Sequence, residues 1–181
     1  MICTLIFTGG TTFGETINGQ TSVKKKSPRA EEIAFRLLAR RDHSLKELRQ
    51  KLLIRKISSA EADALLQRLY AKGLLDDGRY ARKLAFHLTA EKLLGPRRVR
   101  EKLTRKGIAP ELLAEAAKDA EREFPPDERL KRLAQTKLKQ RTLRELSLPE
   151  QKKLARFLYQ RGFSWGDIQE FFHKAGGWFE E

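Results

Sequence analysis

LRQKLLIRKISSAEADALL (48–66), VREKLTRKGIAPELLAEAA (99–117) and LARFLYQRGFSWGDIQEFF (154–172) are one layout written three times. Each copy is a basic helical stretch, a short turn, and an acidic-to-apolar stretch. A step of 51 residues carries Leu52 to Leu103 and Ile57 to Ile108, and a further 55 carries them to Leu158 and Phe163. Self-similarity at a spacing of roughly 50 residues points to stacked supersecondary units rather than one globular core. Such a stack offers a long surface, which suits a long partner.

Working outward, helix signals frame each copy. Ser27-Pro28 supplies a cap and a proline at the first helical position. Ser44 to Glu47 and Ser58 to Glu61 read as capping boxes, in which the serine takes an orphan N–H and the glutamate reaches back. Gly73 ends the helix that follows. Asp76-Asp77 opens a long helix through Tyr80, Leu84 and Leu88 to Gly95, and Pro96 and Pro110 open the next two. Pro125-Pro126 breaks the chain. A long basic helix is expected from Asp127 to Leu146, with further caps at Ser147 to Glu150 and Ser164 to Asp167. The expectation is an all-α tandem array of three three-helix units, at 27–75, 76–124 and 125–181, forming an elongated, curved rod. Residues 1–26, rich in Thr and Gly and ending in three lysines, are expected to form a disordered arm.

Composition narrows the function. Lys and Arg total 38 against 24 acidic residues, a net charge of +14, which is the footprint of a protein that meets a polyanion or an acidic protein. Cys3 is the single cysteine, so a disulfide framework is excluded and a reducing, cytoplasmic setting is expected. No apolar run approaches the roughly 20 residues needed to span a bilayer, so no membrane partner is expected. Phosphate-binding glycine loops and nucleophile elbows are absent. His43, His87 and His173 sit far apart, one in each unit, and read as caps or surface residues. Asp76-Asp77 could be a catalytic or metal-binding carboxylate pair, but acids at a helix start have a simpler explanation in the dipole and the N-cap. Neither an enzyme nor a cofactor is expected.

The basic residues are the candidate site. Arg97, Arg98 and Arg105 project away from the side of their helix that Val99 and Leu103 define, with Lys102 on its flank. Arg55, Lys106 and Arg161 are equivalent by the offsets above and lie near helix C-termini, where the dipole favours a cation. Lys46, Arg97 and Lys152 are also equivalent but lie near helix N-termini, where a cation is disfavoured by about 0.3–1 kcal/mol. Stability of the single helix leaves that recurrence unexplained, so contact with a partner is the more natural reason. Arg129, Lys131, Arg132, Lys137, Lys139, Arg141 and Arg144 extend the charge into the third unit. Tyr159, Phe163, Trp165, Phe171 and Phe172 cluster at core spacing. On these residues alone, a polyanion such as DNA and an acidic protein both remain open as partners.

The segments AFRLLARRDHSLKEL (34–48), KGLLDDGRYARKLA (72–85), GPRRVREKLTRKGI (95–108) and FLYQRGFSWGDIQEFF (157–172) strongly resemble the RecX family of bacterial recombinase regulators. The resemblance covers about residues 30–175. It implies a tandem array of three-helix units, with no catalytic residues. It also implies a monomer that lodges in the groove of the RecA–DNA filament, inhibiting ATP hydrolysis, filament growth and strand exchange, and so modulating DNA repair and recombination within the SOS response. Residues 1–26 match nothing in the family pattern.

Overall fold

A computed structural model describes residues 28–176; the arm 1–26, the Ser27 cap and Trp178-Phe179 lie outside them. Among the described residues there are nine α-helices and no strand, as the repeat requires. Unit 1 holds α1 (Pro28–Arg40), α2 (Leu45–Ile54) and α3 (Ser59–Ala71). Unit 2 holds α4 (Asp77–Phe86), α5 (Pro96–Arg105) and α6 (Pro110–Glu123). Unit 3 holds α7 (Pro126–Leu138), α8 (Leu148–Gln160) and α9 (Trp165–Lys174).

Each unit buries its own small core. Leu52, Leu103 and Leu158 are each fully buried, and their repeat partners Ile57, Ile108 and Phe163 lie beside them. The turn after each second helix explains why these positions recur. The N–H of Ile57 donates to Leu52 O, that of Ile108 to Leu103 O and that of Phe163 to Leu158 O, at 3.2, 3.4 and 3.3 Å. This is the six-to-one bond of a Schellman cap, and it folds the next apolar side chain back onto the helix end. The motif needs one residue of positive φ. Gly107 and Gly162 supply it at +77° and +98°, but unit 1 places Lys56 there at +62°. A side chain in the left-handed region costs roughly 1–2 kcal/mol, so Lys56→Gly is expected to stabilise unit 1 by about 0.5–1 kcal/mol after its added unfolded-state entropy. A rise in the urea midpoint at unchanged slope would register it.

Two helices differ from expectation. The helix opened by Asp77 does not run regularly to Gly95. It passes into a π-helical turn, His87–Glu91, and ends at Leu93 with φ +48°. Thr89 is buried in that turn, with its hydroxyl on Ala85 O at 3.0 Å. The basic helix from Asp127 stops at Leu138 rather than Leu146: Lys139 has φ +59°, and Thr142 with Glu145 caps a separate 3-10 turn, Leu143–Glu145, that buries Leu143. Gln151 fixes this turn by donating to Leu143 O and Leu146 O. In addition, α8 starts three residues before the position the repeat offset assigns. Its extra turn is held by the box of Ser147 and Glu150.

Candidate partner-binding surface and the junctions between units

The units are joined by one contact used twice. Ser44, the N-cap of α2, accepts from the Glu47 N–H at 3.2 Å and donates its hydroxyl to Lys106 O, at the end of α5, at 2.6 Å. The offset that carries Ser44 to Gly95 and Lys106 to Arg161 repeats the contact in the next junction. There the Gly95 N–H donates to Arg161 O at 2.9 Å, and the Arg97 N–H to Gly162 O at 3.2 Å. The start of each second helix therefore sits on the end of the second helix in the following unit. An orphan carbonyl takes the Ser44 hydroxyl in the first junction and orphan N–H groups in the second, and in both the positive pole of one helix meets the negative pole of the next.

Side chains seal the first junction. The Leu45 N–H donates to Asp77 Oδ1 at 2.8 Å, while Asp76 caps its own helix by accepting from the Arg79 N–H at 2.8 Å. The carboxylate pair is thus divided between two helix N-termini. Burial pushes the Asp77 carboxyl up, opposed by the Leu45 N–H. Glu47 does not reach back to its own cap. It takes Arg41 at 3.2 Å, Lys106 Nζ at 3.3 Å and the Tyr80 hydroxyl at 3.4 Å. The hydrogen bond from Arg41, then the charge of Lys106, outweighs burial and holds Glu47 down at about 2, while burial and the Glu47 charge raise Tyr80 to about 12. A carboxylate depressed by folding stabilises fully above its unfolded value, and that stability is lost as pH falls towards the folded value. The junction is therefore expected to weaken between about pH 4.5 and pH 2. Glu47→Gln should be less stable at neutral pH and show a shallower acid dependence, measured by urea unfolding across that range.

The second junction uses cations on carbonyls. Arg97 Nη2 donates to Tyr159 O at 2.7 Å, and its guanidinium carbon lies 4.3 Å from the Tyr159 ring centroid. Tyr159 is itself stacked on Trp165 at 5.0 Å. Arg98 Nε donates to Gln160 O at 3.0 Å. From unit 3, Arg161 donates to Lys92 O and Arg129 to Leu94 O, taking up carbonyls at the irregular end of unit 2's first helix.

These contacts revise the reading of the basic residues. Arg97 tolerates its place at a helix N-terminus because it lies at the C-terminus of α8, whose carbonyls it binds. A second helix, rather than an outside partner, accounts for its position. Lys46 lays its stem over Gly107, at the C-terminus of α5, with its Cδ 2.2 Å from where a Cβ would stand. Lys152 is exposed, with no helix end among the described residues set against it. Within the other set, Arg55 caps Lys51 O at 2.9 Å, and Lys106 and Arg161 serve the junctions as described. Arg105 and Arg98 share Glu101, and Lys102 is exposed on the same face. Arg129 is not a surface residue at all: it is 1% exposed, and burial pushes its pKa down. His43 is likewise buried, 2.9 Å from Arg41 O through Nδ1, and burial lowers its pKa. His87 pairs with Glu91 at 2.9 Å. Phe163 and Phe172 are core, as expected, whereas Trp165 is 43% exposed. Among the described residues no cluster of three metal-ligating side chains occurs, and no helix is long and apolar enough to cross a membrane.

Sequence reasoning missed Glu47, Asp77 and Arg129 as junction residues. Asp77 carried a signal, since one N-cap leaves the second of two adjacent acids without a task. Arg129 carried none, because nothing local marks a buried arginine on a helix rich in exposed ones.

Three family models match the chain in order: the first RecX three-helix domain at residues 30–69, the second at 76–116 and the third at 126–172. The regulatory protein RecX of Pelodictyon phaeoclathratiforme is 33% identical over 144 residues, 79% of this chain and 86% of that protein. The regulatory protein RecX of Vibrio parahaemolyticus is 34% identical over 149 residues, 80% and 92% of the two chains. The crystal structure of RecX from Lactobacillus salivarius superimposes with a TM-score of 0.67 at 21% identity, over 82% of this chain and 95% of that one, which supports the fold. With its three units in this order and relatives matched over most of their length, the chain belongs to the RecX family of regulatory proteins.

Proposed function

We propose that this chain is a monomeric, cytoplasmic regulator that binds the RecA nucleoprotein filament and inhibits its ATPase, filament growth and strand exchange. Its units, taken as 27–75, 76–124 and 125–181, would act together in DNA repair and recombination, without catalysis by the chain itself. Family membership supports the partner. The observation that carries the reading is the repeated junction, which sets three basic second helices end to end along one chain. A surface built that way suits a long helical groove better than a compact target. Lys46, Lys102 and Lys152, exposed on those helices, are the contact candidates least committed to internal bonds.

The test is the DNA-dependent ATPase of RecA with and without the full chain. Inhibition should persist at DNA concentrations too high for simple sequestration, and its disappearance there would refute the reading. Charge reversal at Lys46, Lys102 and Lys152 is expected to weaken inhibition at unchanged circular dichroism. The second reading, a basic helical DNA-binding protein without a protein partner, draws on the charge of +14. It requires the logarithm of affinity for single-stranded DNA to fall with log salt at about −0.7 per phosphate contacted, with no effect on RecA beyond sequestration.

A further inference from the structure

We infer that the outer face of α8 is a docking site for an acidic peptide segment carrying an apolar anchor side chain. Two clefts adjoin there and share Lys153 and Phe157. One, of about 560 Å³, is also lined by Lys137, Leu138 and Leu146. The other, of about 660 Å³, is also lined by Leu148, Lys152 and Arg156. The sole acid lining either cleft, Glu150, is held by Arg141 at 2.9 Å and by the Ser147 N–H.

The repeat shows that this charge is particular to unit 3. The offsets carry Glu47 to Arg98 and on to Lys153, and Gln50 to Glu101 and on to Arg156. The two acids that neutralise this face in units 1 and 2, Glu47 and Glu101, therefore have cations in their place on α8. Arg97 and Arg98 spend their charge on the carbonyls of a following unit. Lys152, Lys153 and Arg156 are exposed, with no helix end among the described residues set against them. Carboxylates from outside fit this face.

The floor decides between a peptide and a nucleic acid. Phe157 stands where the repeat has Lys51 and Lys102, and Leu148, on the extra turn, is 57% exposed. A phosphate backbone makes no use of these side chains, whereas an apolar anchor between acidic residues uses both cations and floor. Base stacking on Phe157 is disfavoured because Lys137 Nζ already lies 4.7 Å from the ring centroid. The inference does not depend on RecA being the regulated protein.

The full chain is titrated, by fluorescence anisotropy, with a labelled peptide of about twelve residues in which glutamates flank a central Leu-Phe pair. Parallel arms use the same peptide with Ala-Ala at its centre and a labelled oligothymidylate of equal charge. Saturable binding of the first peptide is expected, at least about tenfold tighter than the alanine peptide. The double variant Lys153→Glu/Arg156→Glu and the single variant Leu148→Ser should each weaken it about tenfold at unchanged circular dichroism. All three positions are exposed, so folding is not at stake. No saturable binding, equal binding of the alanine peptide, or indifference to the variants would overturn the inference. So would an oligothymidylate that binds more tightly than the peptide and loses that affinity in the double variant.

Discussion

Gly95→Ala should open the junction between units 2 and 3 while leaving all three cores folded. A Cβ at Gly95 would stand 2.2 Å from Gly162 C, 2.3 Å from Gly162 O and 2.4 Å from Phe163 N. These are backbone atoms, so no rotamer change relieves the overlap. Overpacking of a tight contact costs about 1–3 kcal/mol and more where nothing can yield. The Gly95 N–H bond to Arg161 O and the Arg97 N–H bond to Gly162 O would be lost together. Because the cores are separate clusters, the easiest response is separation of the units rather than unfolding. Helicity should hold, the scattering-derived maximum dimension should grow, and protease should cut near Gly95 or Pro125. Gly166→Ala is the control: its nearest neighbour is Ser164 Oγ at 3.8 Å, and the change should be neutral or stabilising by at most about 1 kcal/mol. An unchanged dimension and cleavage pattern for Gly95→Ala would refute the close approach.

Arg129 should give the second large effect, with opposite signs for two substitutions. The side chain is buried between α7 and the end of the π-helical turn, where it donates to Leu94 O. Its Nε and Nη2 have no hydrogen-bond partner among the described residues. The cation is therefore poorly compensated, and the chief contribution of the side chain is volume. Arg129→Ala removes that volume and orphans a carbonyl, with an expected cost of about 2–4 kcal/mol. Arg129→Met keeps most of the volume and deletes the buried charge, so it should match or exceed the parent stability. Urea denaturation of both variants decides it. If methionine proves as damaging as alanine, the charged hydrogen bond is what holds the junction, and the packing account fails.

What was legible in the sequence was whatever is local to one helix. Ser44, Ser58, Asp76 and Ser164 all cap where expected, each accepting an N–H three residues on, although the reciprocal bonds expected from Glu47 and Glu61 do not form. Leu52, Leu103 and Leu158 are buried at the predicted register because a helix-end cap returns the chain onto the same spot in each unit. Most of the failures are long-range. Arg97 was judged against the dipole of its own helix, yet the field that settles its place belongs to α8, 62 residues along the chain. Arg129 was counted with its exposed neighbours because periodicity cannot tell which flank of an amphipathic helix meets another unit. The break after Leu138 escaped notice because Lys139 adopts a backbone conformation that lysine rarely takes.

A contact made between unlike ends has an inherent hazard. Unless its rotation closes a ring, nothing in such a contact limits its repetition, and chains that join this way grow into open fibres. Both outer ends of this chain depart from the joining pattern. Where Gly107 and Gly162 leave room for an incoming helix start, Lys56 keeps a full side chain; where Ser44 and Gly95 end their helices flush, α8 projects an additional turn. The lysine that weakens unit 1 and the turn that breaks the register of unit 3 thus leave both outer ends of the described array without the fit that its inner junctions use.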